Sequence, residues 1–152
     1  MINQELLKKA SRFENPEDAK IFDEVVVELI KTEKPAVITS LIELFDDDSD
    51  HPEVMFSLVH ALESLSDDLY FESLLNAIEK KPKNSLGWLK VLIFRILNDP
   101  KSLGVFKEKI GKVKQDKSIN IIFDIFTDMQ AESLDHFSLI EDLKHELINC
   151  AP

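Results

Sequence analysis

Apolar residues recur along this chain at spacings of three and four residues rather than two. That spacing places them on one face of an α-helix, whereas a half-buried β-strand needs strict alternation. The Asn-Gly and Gly-rich turns that join short strands are also missing from the sequence. The pattern therefore predicts an all-α protein.

The helical segments follow one another at a regular interval. LIELF, LVHALES, LLNAIEK and LIFRILN begin about seventeen residues apart, the length of one helix and one turn. Two intervals make a hairpin of about 34 residues, and the segment 50–80 resembles a HEAT-type unit with two answering apolar stripes. We predict a single domain over residues 1–152 built of stacked antiparallel hairpins, a HEAT-like α-α superhelix, with a compact helical bundle as the alternative.

Capping residues mark the helix starts, in two cases directly before a proline. The predicted caps are Asn15, Ser66, Asn84, Asp99 and Asp116. The predicted helices span roughly residues 4–13, 17–31, 35–45, 51–65, 67–81, 85–97, 100–113, 117–129 and 134–149.

The stretch LIELFDDDSDHPEVM places four aspartates in five positions between two apolar segments. Asp50, followed three residues later by Glu53, is predicted to cap the next helix as a capping box. One capping aspartate would be enough, so Asp46, Asp47 and Asp48 are predicted to be surplus to capping. Two interpretations stay open for them: a helix-boundary loop that tolerates acids near a helix N-terminus, and a ligand or basic partner that relieves the repulsion within a tight cluster of negative charge.

The same aspartates partly match a calcium-binding loop. Asp46, Asp48 and Asp50 occupy its first, third and fifth positions. His51 stands where the loop needs glycine, and Ser57 where it needs a bidentate glutamate. The sequence therefore predicts no EF-hand calcium site.

A second candidate feature is the helix NSLGWLKVLIFRILND. Trp88, Leu92 and Arg95 share one of its faces at helical spacing. Arg95 is expected to pair with Glu63, which lies in a polar stripe with His60, three residues earlier. Two interpretations stay open: an ion pair that locks two helices, and a Trp/Arg patch that contacts a partner.

The chemistry-bearing residues give no pattern typical of an enzyme. Three glycines provide no phosphate-binding loop, and the four histidines form no pair at metal-binding spacing. Cys150 is the only cysteine and lies two residues from the C-terminus, so neither a disulfide nor a catalytic thiolate is predicted. We expect no enzymatic activity, no metal and no cofactor. A hydrolase assembled from distant residues is the less favoured alternative.

Charge restricts the partners. The net charge of −11 argues against nucleic acid and anionic membranes, both of which bind clustered Lys and Arg, and favours a basic protein. Residues 1–50 hold thirteen acids and six bases, whereas residues 101–117 hold six lysines and two acids. No signal peptide or membrane span is visible, so the cytoplasm is the predicted location.

The middle of the chain resembles a known family. The succession LFDDDSDHPEVMFSLVHALES, YFESLL and WLKVLIFRILND is similar to the immunity protein 30 family of bacterial polymorphic-toxin systems. The family-like pattern runs from an acidic turn through His-Pro-Glu-Val-Met to a His-Ala-x-Glu helix and a Trp helix ending in Arg-Ile-Leu-Asn. The matching residues are Asp47, Asp48, His51, Pro52, His60, Glu63, Trp88, Arg95 and Asn98.

The resemblance implies a small antidote that binds a cognate toxin domain and blocks it by occlusion, without catalysis. We expect a monomer or weak dimer and a basic toxin, a nuclease being one candidate. The expected partner-binding residues are Glu43, Asp46, Asp47, Asp48, His51 and Trp88. The expected structural residues are Asp50, Glu53, His60, Glu63, Arg95 and Asn98. A HEAT-like adaptor that scaffolds other proteins is the alternative function.

Overall fold

A computed structural model describes residues 2–80 and 82–149. Within these ranges the secondary structure is nine helices and no strand, which confirms the all-α prediction. The helices are α1 (Ile2–Ala10), α2 (Asp18–Ile30), α3 (Pro35–Ile42), α4 (Pro52–Glu63), α5 (Asp67–Glu79), α6 (Leu86–Leu97), α7 (Pro100–Gly111), α8 (Asp116–Glu132) and α9 (Phe137–Asn149). Lys81, the predicted end of α5, and Cys150 lie outside the described residues.

Local signals place two helix starts correctly. Ser66 Oγ accepts a hydrogen bond from the Leu69 N–H at 3.3 Å, so it is the N-cap of α5. Asp99 Oδ1 accepts from the Lys101 N–H at 3.1 Å and caps α7 directly before Pro100. In both cases the capping oxygen reaches an amide that has no partner within the helix.

Three other predicted caps are wrong. Asn15 does not cap α2: its own N–H donates to Asp18 Oδ2 at 3.0 Å, and the helix begins only at Asp18. The N-cap of α6 is Ser85, one residue after the predicted Asn84. The N-cap of α8 is Gln115, and the predicted cap Asp116 is instead the first residue of the helix. The predictions for α6 and α8 thus miss the N-cap by a single residue, which is the usual uncertainty of helix boundaries.

The predicted capping box of Asp50 and Glu53 does not form either. The N-cap of α4 is His51, without a side-chain cap, and Pro52 is the first helical residue. Because proline fixes the backbone at that first position, Asp50 lies one residue too early to be the cap. Glu53 Oε1 instead contacts His51 Nδ1 at 3.3 Å.

Contacts between alternate helices arrange the chain in two rows. In one row α3 contacts α5, α5 contacts α7 and α7 contacts α9. In the other, α2 contacts α4, and side-chain contacts continue from α4 to α6 and from α6 to α8. The helix α5 also contacts α8, so the contacts are consistent both with stacked hairpins and with a compact helical bundle.

Buried apolar side chains from all nine helices form a continuous cluster. Phe22, Phe71, Phe106 and Phe126 are among its largest fully buried members. The rings of Phe71 and Phe106 meet edge to face at 5.4 Å and join α5 to α7. None of the described helices is both long and apolar enough to span a membrane.

Ser73 leads to a prediction about stability. This residue of α5 is 0% exposed, and its hydroxyl has no hydrogen-bond partner among the described residues. A buried hydroxyl without a partner loses its hydrogen bonds to water and gains none within the protein. Alanine also has a higher helix propensity than serine. We expect Ser73→Ala to raise the free energy of unfolding by about 1 kcal/mol. Urea unfolding measures this, and a loss of stability would mean that the hydroxyl has a partner in solution.

Candidate interaction surface

The segment between α3 and α4, residues 43–51, is here named the acidic loop. One of its aspartates, Asp47, forms hydrogen bonds with the first turn of helix α6. Asp47 Oδ2 accepts a hydrogen bond from the Gly87 N–H at 2.8 Å, and Asp47 Oδ1 accepts from the Trp88 N–H at 3.0 Å. Asp47 N–H donates to the Asn84 carbonyl at 2.6 Å. Asp47 therefore caps α6 from a distant part of the chain, because the N-cap Ser85 makes no side-chain cap of its own.

Gly87 permits this close approach. A Cβ added at this position would lie 3.0 Å from Asp47 Oδ1 and 3.1 Å from Asp47 Cγ, so the carboxylate would have to move by a few tenths of an ångström. The glycine thus leaves room for the carboxylate against the first turn of α6. The inference that Asp47 is surplus to capping is wrong, since this residue caps α6 rather than α4.

The other acidic side chains of the loop differ in whether they form hydrogen bonds or ion pairs within the protein. Asp46 Oδ1 accepts from the Asp48 N–H at 2.9 Å, a turn that orders the loop internally. Glu43 Oε1 forms an ion pair with Lys80 Nζ at 2.8 Å. Asp48 and Asp50 are exposed. Among the described residues, no three acidic or histidine side chains are grouped so that they could hold a metal ion.

His51 lies on the inner side of the acidic loop. Its ring packs against that of Phe13, with centroids 5.0 Å apart, in the turn after α1. The loop and the end of α1 border an open groove of about 640 Å³ that includes Lys8 and Arg12. These two cations balance part of the loop's charge on that side. The acidic residues Glu43, Asp46, Asp48 and Asp50 line the same groove.

An aromatic pair adjoins the acidic loop. Trp88 stacks on the buried Phe45, with centroids 5.6 Å apart, and Phe56 meets Trp88 edge to face at 4.9 Å. Phe56 is 43% exposed. Sequence reasoning missed Phe56, although its position off the stripe of Val54 and Leu58 was a usable signal. An apolar residue outside the buried stripe of an amphipathic helix is either exposed or covered by another element.

Arg95 and Glu63 form a two-pronged ion pair between α6 and α4. Arg95 Nε and Nη2 donate to Glu63 Oε2 and Oε1, both at 2.9 Å, and His60 Nδ1 lies 3.5 Å from Glu63 Oε1. The hydrogen bond to Glu63 raises the pKa of Arg95 further. Because the Arg95 side chain is 40% exposed, the pair contributes at most about 1 kcal/mol.

Asn98 joins the turn after α6 to the turn before α9. Its Oδ1 lies 2.9 Å from His136 Nε2, and Ser133 Oγ lies 2.8 Å from His136 Nδ1. The His136 ring also meets Phe94 edge to face at 5.2 Å. Asn98 therefore connects neighbouring hairpins, as Asp47 does at the opposite end of α6.

These residues define one continuous surface, here named the α4–α6 face: Phe56, His60, Glu63, Trp88 and Arg95. The aromatic pair lies beside the acidic loop, and the ion pair lies near the opposite ends of both helices. The face presents an aromatic centre with acidic groups at one end. Aromatic side chains beside polar and charged ones are a combination that protein interfaces commonly contain.

Comparison with known proteins gives one match. Residues 9–106 match the family model described as Immunity protein 30, which covers more than half of the chain and includes the acidic loop and α4 to α6. No curated protein and no solved structure matches the chain. The match extends well beyond the residues on which the sequence resemblance was based, and the chain belongs to the Immunity protein 30 family.

Proposed function

We propose that this protein is an antidote that binds a cognate toxin domain and blocks it by occlusion, without catalysis. Membership of the Immunity protein 30 family is the observation that carries the proposal. The net charge of −11 supports a basic partner, because complementary charge accelerates encounter and favours one partner over others.

The interface we propose is the acidic loop together with the Phe56 end of the α4–α6 face. Phe56 and Trp88 supply a partly exposed aromatic centre, and Asp46, Asp48 and Asp50 supply an acidic rim. Protein interfaces commonly combine aromatic anchors with a polar rim that excludes water. Asp47 contributes indirectly, since it holds the first turn of the helix that carries Trp88.

A basic nuclease is the toxin class that fits this surface best. Such an enzyme binds phosphates with clustered lysines and arginines, and an acidic rim can occupy that cleft. We propose that the antidote is a monomer or weak dimer located in the cytoplasm. There it would bind the toxin before the toxin reaches its nucleic acid substrate.

Co-expression tests the function directly. The neighbouring gene's toxic C-terminal domain is expressed with and without this chain, and survival and complex formation are measured. We expect protection and a stable complex from which fully active toxin is recovered after dissociation in denaturant and refolding. Toxin recovered cleaved or modified would mean catalysis. Absence of protection, together with stable association with an endogenous complex, would favour the adaptor instead.

A further inference from the structure

A second groove lies between the turn after α4 and the turn after α6, at the far end of the α4–α6 face. It has a volume of about 570 Å³ and is here named the turn groove. Its acidic lining residues are Glu63, Asp67, Asp68 and Asp99, and its basic ones are Arg95 and Lys101. None of the proposed toxin contacts at the acidic loop uses this groove.

Two of the four carboxylates are already neutralised. Glu63 pairs with Arg95, and Asp68 Oδ1 lies 3.4 Å from Lys109 Nζ. Asp67 and Asp99 have no cation within ion-pair distance among the described residues, although Lys101 borders the groove. The groove therefore has two carboxylates without an ion pair and one lysine at its border, so its lining stays acidic overall.

Ser102 lies between these two carboxylates. Its hydroxyl oxygen is 3.1 Å from Asp67 Oδ2 and 3.2 Å from Asp99 Oδ2. A hydroxyl has one hydrogen and can donate to only one of them. The two carboxylates thus converge, and at least one of them keeps the facing oxygen free to accept another donor.

Tyr70 provides an independent sign of a missing partner. The residue is 3% exposed and lines the groove, and none of the hydrogen bonds between described residues involves its hydroxyl. The hydroxyl oxygen is not one of the fully buried unpaired atoms, which among the described residues comprise Ser73 Oγ alone, so it opens toward the groove. The hydroxyl lies among the charges of the groove, since Glu63, Arg95 and Asp67 all act on its titration. Burial and the Glu63 carboxylate raise the pKa of Tyr70, so it stays a neutral phenol. A tyrosine whose ring is buried usually directs its hydroxyl to a polar partner, and a donor bound in the groove would supply one.

We propose that the turn groove binds the cationic end of an arginine or lysine side chain of the toxin domain. A guanidinium or ammonium group has several N–H donors and can serve Asp67, Asp99 and the Tyr70 oxygen together. A metal ion fits less well, because no three acidic or histidine side chains of the described residues form a metal-binding group. The partner is a protein because the groove continues the α4–α6 face through Glu63 and Arg95. The inference rests on the proposed function.

The test titrates the ¹⁵N-labelled protein with N-acetyl-argininamide and follows amide chemical shifts. N-acetyl-citrullinamide, which has the same shape and no charge, is the ligand control. We expect saturable shifts in residues 63–71 and 95–105 with the arginine compound alone. Tyr70→Phe removes only the hydroxyl and is expected to weaken binding while leaving the melting temperature unchanged or higher.

A pair of charge-neutralising variants sharpens the test. Asp67→Asn/Asp99→Asn is expected to weaken binding about tenfold, as loss of charge-assisted hydrogen bonds does. Asn caps a helix as well as Asp does, so α7 should keep its start. The matched control is Asp68→Asn, whose carboxylate borders the same groove but pairs with Lys109. Because this carboxylate is already paired with Lys109, its neutralisation should change binding much less than the double variant does.

Three results would overturn the inference: equal binding of the citrulline compound, shifts located elsewhere, or an Asp67→Asn/Asp99→Asn variant that binds as the parent protein does. The outcome is separable from the proposed function. If co-expression protects cells but the groove binds no arginine compound, only the groove assignment is lost. If protection fails while arginine binding persists, the function is wrong and the cation site remains.

Discussion

Replacing Asp47 by Ala is expected to lower the free energy of unfolding by about 1–2 kcal/mol, the usual cost of removing a helix cap. The Asp47 carboxylate receives two backbone N–H groups of α6, and those amides have no other acceptor in the first turn of that helix. In a protein of this size the melting temperature should fall by several degrees. Thermal and urea unfolding measure the change, and Asp48→Ala, at an exposed neighbouring position, is the matched control.

Gly87→Ala completes a double-mutant cycle. Its Cβ would lie 3.0 Å from the Asp47 carboxylate, so we expect the single variant Gly87→Ala to be less stable than the parent protein. In the Asp47→Ala background the new methyl group meets no carboxylate, and its cost should largely disappear. We therefore expect a coupling energy above about 0.5 kcal/mol. Additive effects would show that Asp47 does not hold the start of α6 in solution.

The cap also changes how the acidic loop must be tested. Neutralising Asp46, Asp47 and Asp48 together would alter binding and stability at once, because Asp47 supports α6. For Asp50 the correction is the reverse of that for Asp47. Asp50 was expected to be structural, yet it does not cap α4 and its side chain is exposed. The sharper test of the contact rim therefore uses Asp48 and Asp50.

The fold was largely predictable because its signals are local. Apolar spacing and the Asp99-Pro100 pair mark helices within a few neighbouring residues. The cap of α6 was not predictable, because Asp47 and Gly87 are forty residues apart and no local pattern links them. Asn84, the residue that local rules favoured, supplies its carbonyl oxygen to Asp47 instead of capping with its side chain.

The candidate site shows the same division. The pairing of Arg95 with Glu63 could be inferred because Arg95 shares a helix face with bulky apolar residues and needs a partner, and Glu63 lies in a polar stripe of the nearby helix α4. Tyr70 reads as an ordinary core residue in the sequence, since it lies among apolar neighbours of α5. Its unpartnered hydroxyl becomes visible only when the turns after α4 and α6 are brought together.

Charge reversal on the acidic loop should have the largest effect on toxin binding. We expect Asp48→Lys/Asp50→Lys to lower the association rate constant at least about tenfold at low ionic strength, within the range that electrostatic steering spans. Both side chains are exposed and neither caps a helix, so the loss should appear in association rather than in folding. Stopped-flow mixing with the toxin domain measures the rate, and the melting temperature reports the fold.

The control separates local charge from net charge. Asp135→Lys/Asp142→Lys changes the net charge equally at exposed positions before and within α9, which packs on α7 and α8 away from the acidic loop. If the rim steers the toxin, only the loop variant should slow association strongly. The difference should shrink as salt shortens the Debye length, which is about 10 Å at 0.1 M. Equal slowing by both variants would assign the steering to the whole molecule, and no slowing by either would remove electrostatics from the mechanism.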